Sequence, residues 1–110
     1  MARYPSRFEI WLIDLNPVRG AEIAKIRPCV IVSPNELNRH LKTCLIAPLT
    51  STKRHWPHRV PLVFAGVEGE IATDQIRAVD RTRLKKQIGH LDRETEELLS
   101  ARLVDMFRYE

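Results

Sequence analysis

At 110 residues and 44% hydrophobic, the chain is sized for one domain, residues 1–110, with a single core and a narrow stability margin. No apolar run approaches a bilayer span and no export signal precedes the first apolar segment, so a helical membrane protein is excluded and a cytoplasmic location is expected. The net charge is +4, and residues 37–67 contain no acid while holding Arg39, Lys42, Lys53, Arg54, Arg59, His40, His55 and His58. Such an uncompensated basic stretch suits a polyanionic partner such as nucleic acid, with a solvated basic surface as the equal alternative.

Residues 1–6 read as a frayed end. Residues 8–15 form a first strand, with Phe8, Ile10 and Leu12 on one face and Trp11, Ile13 and Leu15 on the other. Both faces are apolar, so this strand lies deep or at an interface. Residues 16–26 form a loop punctuated by Asn16-Pro17 and Gly20, and they carry Arg19, Glu22 and Lys25. The short run Cys29, Val30, Ile31 and Val32, held between Pro28 and Pro34, reads as a strand buried on both faces. Pro28 has no N–H and suits the first position of that strand, and it drives Arg27 into extended geometry. A guanidinium therefore stands at the mouth of a buried strand.

Residues 35–40 suggest a short helical turn, and residues 43–49 a third strand that runs into Thr50-Ser51-Thr52. The second and third strands are expected to be neighbours, with Arg27 and the Thr50 hydroxyl converging on one phosphate. Residues 50–57 are a polar, basic loop. Residues 59–63 form a fourth strand whose Pro61 argues for an edge or a bulge. Residues 66–69 turn the chain, residues 70–76 form a fifth strand containing Asp74 and Gln75, and residues 77–80 a short sixth. Residues 81–86 read as a basic turn or short helix. Asp92 then caps a helix with Glu94, Glu96 and Glu97 at its positive end, and Leu99, Leu103, Met106 and Phe107 fall in one stripe about 100° wide that faces the sheet. Five or six short strands and one terminal helix predict a mainly β fold, a small and strongly bent antiparallel barrel.

In this order the segments resemble the MazF/PemK toxin family. The resemblance is carried by Glu9-Ile10-Trp11-Leu12 with Asn16-Pro17, by Arg19-Gly20-Ala21-Glu22, by Arg27-Pro28 and its Val-Ile-Val-Ser-Pro strand, by Ala47-Pro48-Leu49-Thr50-Ser51, and by Asp74-Gln75-Ile76-Arg77-Ala78-Val79-Asp80. It implies an SH3-like barrel with a C-terminal helix, a homodimer, and a ribosome-independent endoribonuclease that cuts single-stranded RNA at a short motif. It also implies a toxin neutralised by a cognate antitoxin. Arg27 falls on the family's catalytic arginine and Thr50 on its catalytic threonine. Some members add a histidine in the first loop and an arginine just before the Asp-Gln pair. Here Ala21 and Ala72 stand at or near those positions, which reduces the catalytic set to Arg27 and Thr50.

The residues offer no carboxylate cluster for a two-metal nuclease, no P-loop and no Ser-His-Asp order, and Cys29 and Cys44 read as buried reduced thiols rather than a zinc site. No metal or cofactor is expected. RNA carries its own nucleophile, the 2′-OH, so proton transfer and charge stabilisation suffice. Arg27 suits a pentacoordinate phosphorane through paired hydrogen bonds; its bland alternative is a surface salt bridge with Glu22. Thr50 can donate to a non-bridging oxygen, or merely cap its own backbone. Lys53, Arg54 and Arg59 are expected to hold phosphates, with Glu22, Lys25 and Ser51 beside them. His55 or His58 could supply an acid, Trp56 could stack a base, and Asp74 and Gln75 could read base edges. The expected antitoxin carries an acidic, initially disordered segment that folds onto the basic groove. Two alternatives are a same-fold toxin that poisons DNA gyrase, whose Trp-Gly-Ile ending is not matched by Phe107-Arg108-Tyr109-Glu110, and an inert SH3-like interaction module.

Overall fold

The computed structural model describes residues 4–109. Its elements are β1 (Glu9–Asp14), β2 (Ile26–Ile31), the short α1 (Asn35–Asn38), β3 (Thr43–Thr50), β4 (Val60–Phe64), β5 (Val67–Ile71), β6 (Arg77–Asp80), β7 (Leu84–His90) and α2 (Arg93–Phe107). Two single 3₁₀ turns, Thr73–Gln75 and Arg81–Arg83, precede β6 and β7. All ladders are antiparallel, in the order β4-β5-β3-β2-β1-β7, with β6 also on β3.

The sheet curls because one edge of β3 serves two partners in succession. Residues 43–46 of β3 pair with β6, and Leu49 and Thr50 pair with β5. Pro48 lies at the changeover, where it needs no N–H; its carbonyl accepts from Ala72 N at 2.8 Å. The curled sheet and its helix are the mainly β architecture read from the sequence.

The central strands are buried on both faces, as expected. Val30 joins Ile10, Val32, Ala47, Leu49, Val60, Ile71 and Leu99 in one cluster. Cys29 and Ile31 join Ile13, Leu15, Cys44, Ile46 and Val79 in the other. Strand β1 therefore lies deep within the monomer. Burial pushes the thiol of Cys29 up to about 12 and that of Cys44 up to about 11, which fits inert, reduced cysteines.

Five expectations change. The frayed end at residues 1–6 lies partly outside the described residues; within them Pro5 is buried and Ser6 N donates to Glu9 Oε1 at 2.9 Å. Pro28 is the third residue of β2 rather than its first, opposite Leu12 of β1. The fifth strand begins at Val67 and ends at Ile71, so Asp74 and Gln75 sit in a 3₁₀ turn. Residues 84–90 form a seventh strand, because pairing with β1 overrides the poor strand propensity of Lys85-Lys86-Gln87.

The fifth change concerns α2. Asp92 caps it as expected, accepting from Thr95 N at 2.8 Å. Leu99 is fully buried and Leu98 and Leu103 pack on the core, but Phe107 is 73% exposed. The helix packs against β4, and its last turn leaves Val104 and Phe107 exposed. Pro61 does mark an edge: β4 is one of the two end strands of the order.

A groove beside Arg27 and Thr50

Strands β2 and β3 pair with Cys29 opposite Pro48, and continuing that register two residues sets Arg27 opposite Thr50. Both line one cavity of about 290 Å³, together with Ser51, Glu68 and Gly69. Its other wall is apolar and includes Leu62, Phe64 and Val67 from the β4–β5 hairpin. Arg27 is half-buried, and its Nε donates to Ala24 O at 2.8 Å. That bond orients the guanidinium and leaves the two terminal nitrogens for an anion. No Glu22–Arg27 pair forms among the described residues; Glu22 Oε1 accepts from Arg19 N at 2.7 Å instead.

Thr50 Oγ1 accepts from Thr52 N at 3.1 Å. The hydroxyl thus caps its own turn, yet its hydrogen is still free to rotate and donate. Gly69 permits the close approach here: a Cβ on it would lie 2.3 Å from the Thr50 carbonyl oxygen.

The other candidate residues fall in neighbouring places. Lys53 and His55 line an adjacent groove on the far side of Glu68 and Gly69. Glu22, Asp74 and Gln75 line a cleft with Ile23, Pro48 and Arg77, where Gln75 Oε1 accepts from Ile23 N at 3.2 Å. Lys25 is exposed, with a positive φ of 71°, and its N–H donates to Asn16 Oδ1. Arg54 lies over the Trp56 ring at 5.6 Å, so that ring already has a cation on it. His55 and His58 adopt positive φ values of 55° and 70°.

Arg59 departs from expectation. It is only 7% exposed, and its guanidinium is fully engaged. Nε and Nη2 donate to the two oxygens of Asp74 at 2.7 and 3.1 Å, and Nη1 donates to Glu70 Oε1 at 3.3 Å. Trp56 covers it at 4.7 Å. A guanidinium held this way is not offered to phosphate, and Asp74 commits both oxygens to Arg59 rather than to a base edge. The bonds from Arg59 hold the Asp74 carboxyl below the usual range against its partial burial.

The basic window is likewise less uncompensated than its sequence suggests. Glu68 pairs with Lys53 at 3.0 Å, and Glu70 and Asp74 take up Arg59. These acids sit just beyond the window, and the β4–β5 hairpin folds them back across it. Glu68, Glu70 and Gly69 are the site residues that sequence reasoning misses. The available signal is an acid-Gly-acid alternation on one strand directly after the acid-free window 37–67.

Fold and cavity together define a small curled β protein with a guanidinium and a hydroxyl in one groove. Residues 6–107 match the family model described as PemK-like, MazF-like toxin of type II toxin-antitoxin system. The chain is 31% identical over 102 residues to the endoribonuclease MazF of Staphylococcus saprophyticus, covering 86% of this chain and 85% of that protein. It is similar in fold to the MazF crystal structure from Deinococcus radiodurans (TM-score 0.83, 23% identity, 98% of this chain and 100% of that one). It is also similar to a mycobacterial endoribonuclease solved in complex with its cognate antitoxin (TM-score 0.79, 23% identity, 96% and 99%). The chain belongs to the PemK-like, MazF-like toxin family of type II toxin-antitoxin systems.

No helix among the described residues is long and apolar enough to cross a membrane. No group of three or more His, Cys, Asp or Glu among them is placed to hold a metal ion.

Proposed function

We propose that this chain is an endoribonuclease that cuts single-stranded RNA at a short motif without a metal, and thereby acts as a cytoplasmic toxin that arrests translation. The observation that carries this reading is the placement of Arg27 and Thr50 in one cavity. The substrate's 2′-OH attacks the adjacent phosphorus and forms the O2′–P bond while the P–O5′ bond breaks. The 2′ proton passes to solvent or a base, and the departing 5′ oxygen takes one up, leaving a 2′,3′-cyclic phosphate and a 5′-OH. The terminal nitrogens of Arg27 stabilise the charge that builds on the non-bridging oxygens, and the Thr50 hydroxyl donates to one of them. Its high pKa makes arginine a poor general base. Lys25, Ser51, Lys53, Arg54 and His55 line the path of the strand, with Glu22 and Gln75 in the neighbouring cleft.

Incubation of the pure protein with a long RNA in EDTA tests this. The expected result is discrete cuts with cyclic ends, and no cut where the scissile nucleotide is 2′-deoxy. A strict magnesium requirement, or cleavage at the deoxy site, overturns it.

The partner is an antitoxin, as in the mycobacterial complex, and we propose that its acidic segment competes with RNA for this groove. Homodimerisation is proposed from the family together with the exposed Val104 and Phe107 at the end of α2. A competition titration with a 2′-deoxy RNA checks the shared groove: displacement of the antitoxin is expected, and a ternary complex refutes it.

A further inference from the structure

Loop 51–59 has no regular secondary structure, yet it carries Ser51, Lys53, Arg54, His55 and His58. It contains two non-glycine residues in left-handed backbone, His55 and His58. Such a conformation persists only where its surroundings over-determine it. The carboxylate of Glu70 holds it at His55, and the Thr73 hydroxyl holds His58. Glu70 is 3% exposed and lies directly opposite Thr50 in the β3–β5 ladder. Its Oε1 accepts from Arg54 N at 2.9 Å and its Oε2 from His55 N at 3.1 Å. Arg59 Nη1 neutralises the same carboxylate, and Arg59 is in turn fixed by Asp74. Thr73, beside Asp74, donates to His58 O at 2.9 Å. Buried and fully hydrogen-bonded, the group fixes geometry rather than merely adding stability.

We propose that Glu70, braced by Arg59 and Asp74, is the positioning residue that sets loop 51–59 as one wall of the RNA groove and so aims Arg54 and its neighbours at the substrate's phosphates. This rests on the endoribonuclease reading above. Glu70 touches no reacting atom. It acts on how RNA is held, while Arg27 and Thr50 act on the chemistry. Its strand neighbour Gly69 touches the Thr50 backbone, so the same short strand places both the wall and the hydroxyl.

The test is Glu70→Gln in the full chain, with the fold checked by circular dichroism and urea unfolding. Glutamine is nearly isosteric, but it turns one acceptor into a donor facing an N–H and removes the charge that Arg59 needs. The expected result is a rise of about tenfold or more in KM for a short RNA, with kcat within about threefold of wild type. The slope of log affinity against log salt, read with a 2′-deoxy RNA, should shrink by about 0.7 for each phosphate no longer neutralised. Arg54→Ala should weaken binding in wild type and add little in the Glu70→Gln background, because the two act through the same wall of the groove. Amide exchange at Arg54 and His55 should quicken without RNA present. Glu70→Asp, which keeps the charge, should recover part of the KM. If Glu70→Gln does not fold, Asp74→Asn loosens only the far end of Arg59 and should give the same split at smaller size. An unchanged KM and salt slope overturns the proposal, as does a parallel loss of kcat and KM that tracks the folded fraction. If wild type itself cuts no RNA, the endoribonuclease reading fails; if wild type cuts and the variant binds RNA equally well, only the positioning role fails.

Discussion

The two loops beside the cavity are fastened by different chemistry. Loop 16–25 and the strand end that leads into it are held by arginines through carbonyl oxygens, beside the bonds from Ile23 N to Gln75 and from Lys25 N to Asn16. Arg77 Nη1 donates to Leu15 O at 3.0 Å, Arg83 Nη1 to Asp14 O at 3.1 Å and to Asn16 O, and Arg27 Nε to Ala24 O. Loop 51–59 is held through the N–H groups of Arg54 and His55, which donate to the buried carboxylate of Glu70, and by Thr73 Oγ1 at His58 O. Arginines elsewhere in the chain therefore pin the first loop, while acids elsewhere pin the basic second one. Formal charge thus overstates what the molecule offers to a ligand. Arg59, Arg77 and Arg83 count toward the +4 but direct their hydrogen bonds into the fold. Of the cations, Arg27 lines the groove, and Lys53, which lines the adjacent one, is shared with Glu68.

The largest expected effect separates the two anchors outright. Arg59→Ala leaves Glu70 buried without its cation and should cost roughly 3–5 kcal/mol. Arg77→Ala removes one bond to a carbonyl and should cost about 1.5–3 kcal/mol. Urea midpoints of the two variants check this, and equal losses would erase the distinction between the loops. Next is Arg27→Lys, which keeps the charge but loses both the planar fork and the Nε bond to Ala24. Cleavage should fall at least about tenfold with RNA binding largely retained. Near wild-type turnover would mean that charge alone suffices at this position.

Much of the frame was legible in the sequence. The run Cys29 to Val32 between prolines, the edge-marking Pro61 and the capping Asp92 each act locally, so local chemistry reveals them. What escaped depends on pairing at long range. Strand β7 reads as a basic turn because its lysines are exposed, and only β1 alongside makes it a strand. Arg59 looks like a phosphate ligand until the β4–β5 hairpin brings Glu70 and Asp74 against it, 11 and 15 residues further along. Arg27 and Thr50 were readable because each ends a buried apolar run, and adjacent strands then need only a register to bring them together.

A smaller effect tests whether the second loop's wall and the Thr50 backbone move as one. Gly69→Ala puts a carbon 2.3 Å from the Thr50 carbonyl, and the neighbour is backbone rather than a yielding side chain. Overpacking of this kind costs about 1–3 kcal/mol. A lower thermal midpoint and slower cleavage are expected, with amide exchange in loop 16–25 unchanged. A shift in both loops would show that they are coupled through the sheet.

The subtlest difference is one that only pH exposes. Guanidinium groups stay charged throughout the accessible range, so the bonds that arginines make to the carbonyls of loop 16–25 do not titrate. The carboxylates that fasten loop 51–59 do. Burial alone would raise the Glu70 carboxyl, but the N–H groups of Arg54 and His55 and the Arg59 guanidinium outweigh it, and the net direction is downward. Asp74 is lowered by its bonds from Arg59. A depressed folded value means the stabilisation is complete above the unfolded values, about 4.3 for Glu and 3.9 for Asp, and is lost as pH falls through the lower folded ones. His55 Nδ1 stands 3.9 Å from Glu70. Lys53 is already paired to Glu68 and leaves that order unchanged. Between pH 7 and 5 the two loops should therefore exchange their amides with the same relative protection. Below about pH 4 the amides of Arg54 and His55 should open first, while those of Ile23 and Lys25 keep their protection until the whole fold gives way. Exchange read residue by residue across that range decides it. Simultaneous opening of both loops would mean that Glu70 is not an independent anchor, and loosening of loop 51–59 already near neutral pH would contradict the sign of its shift.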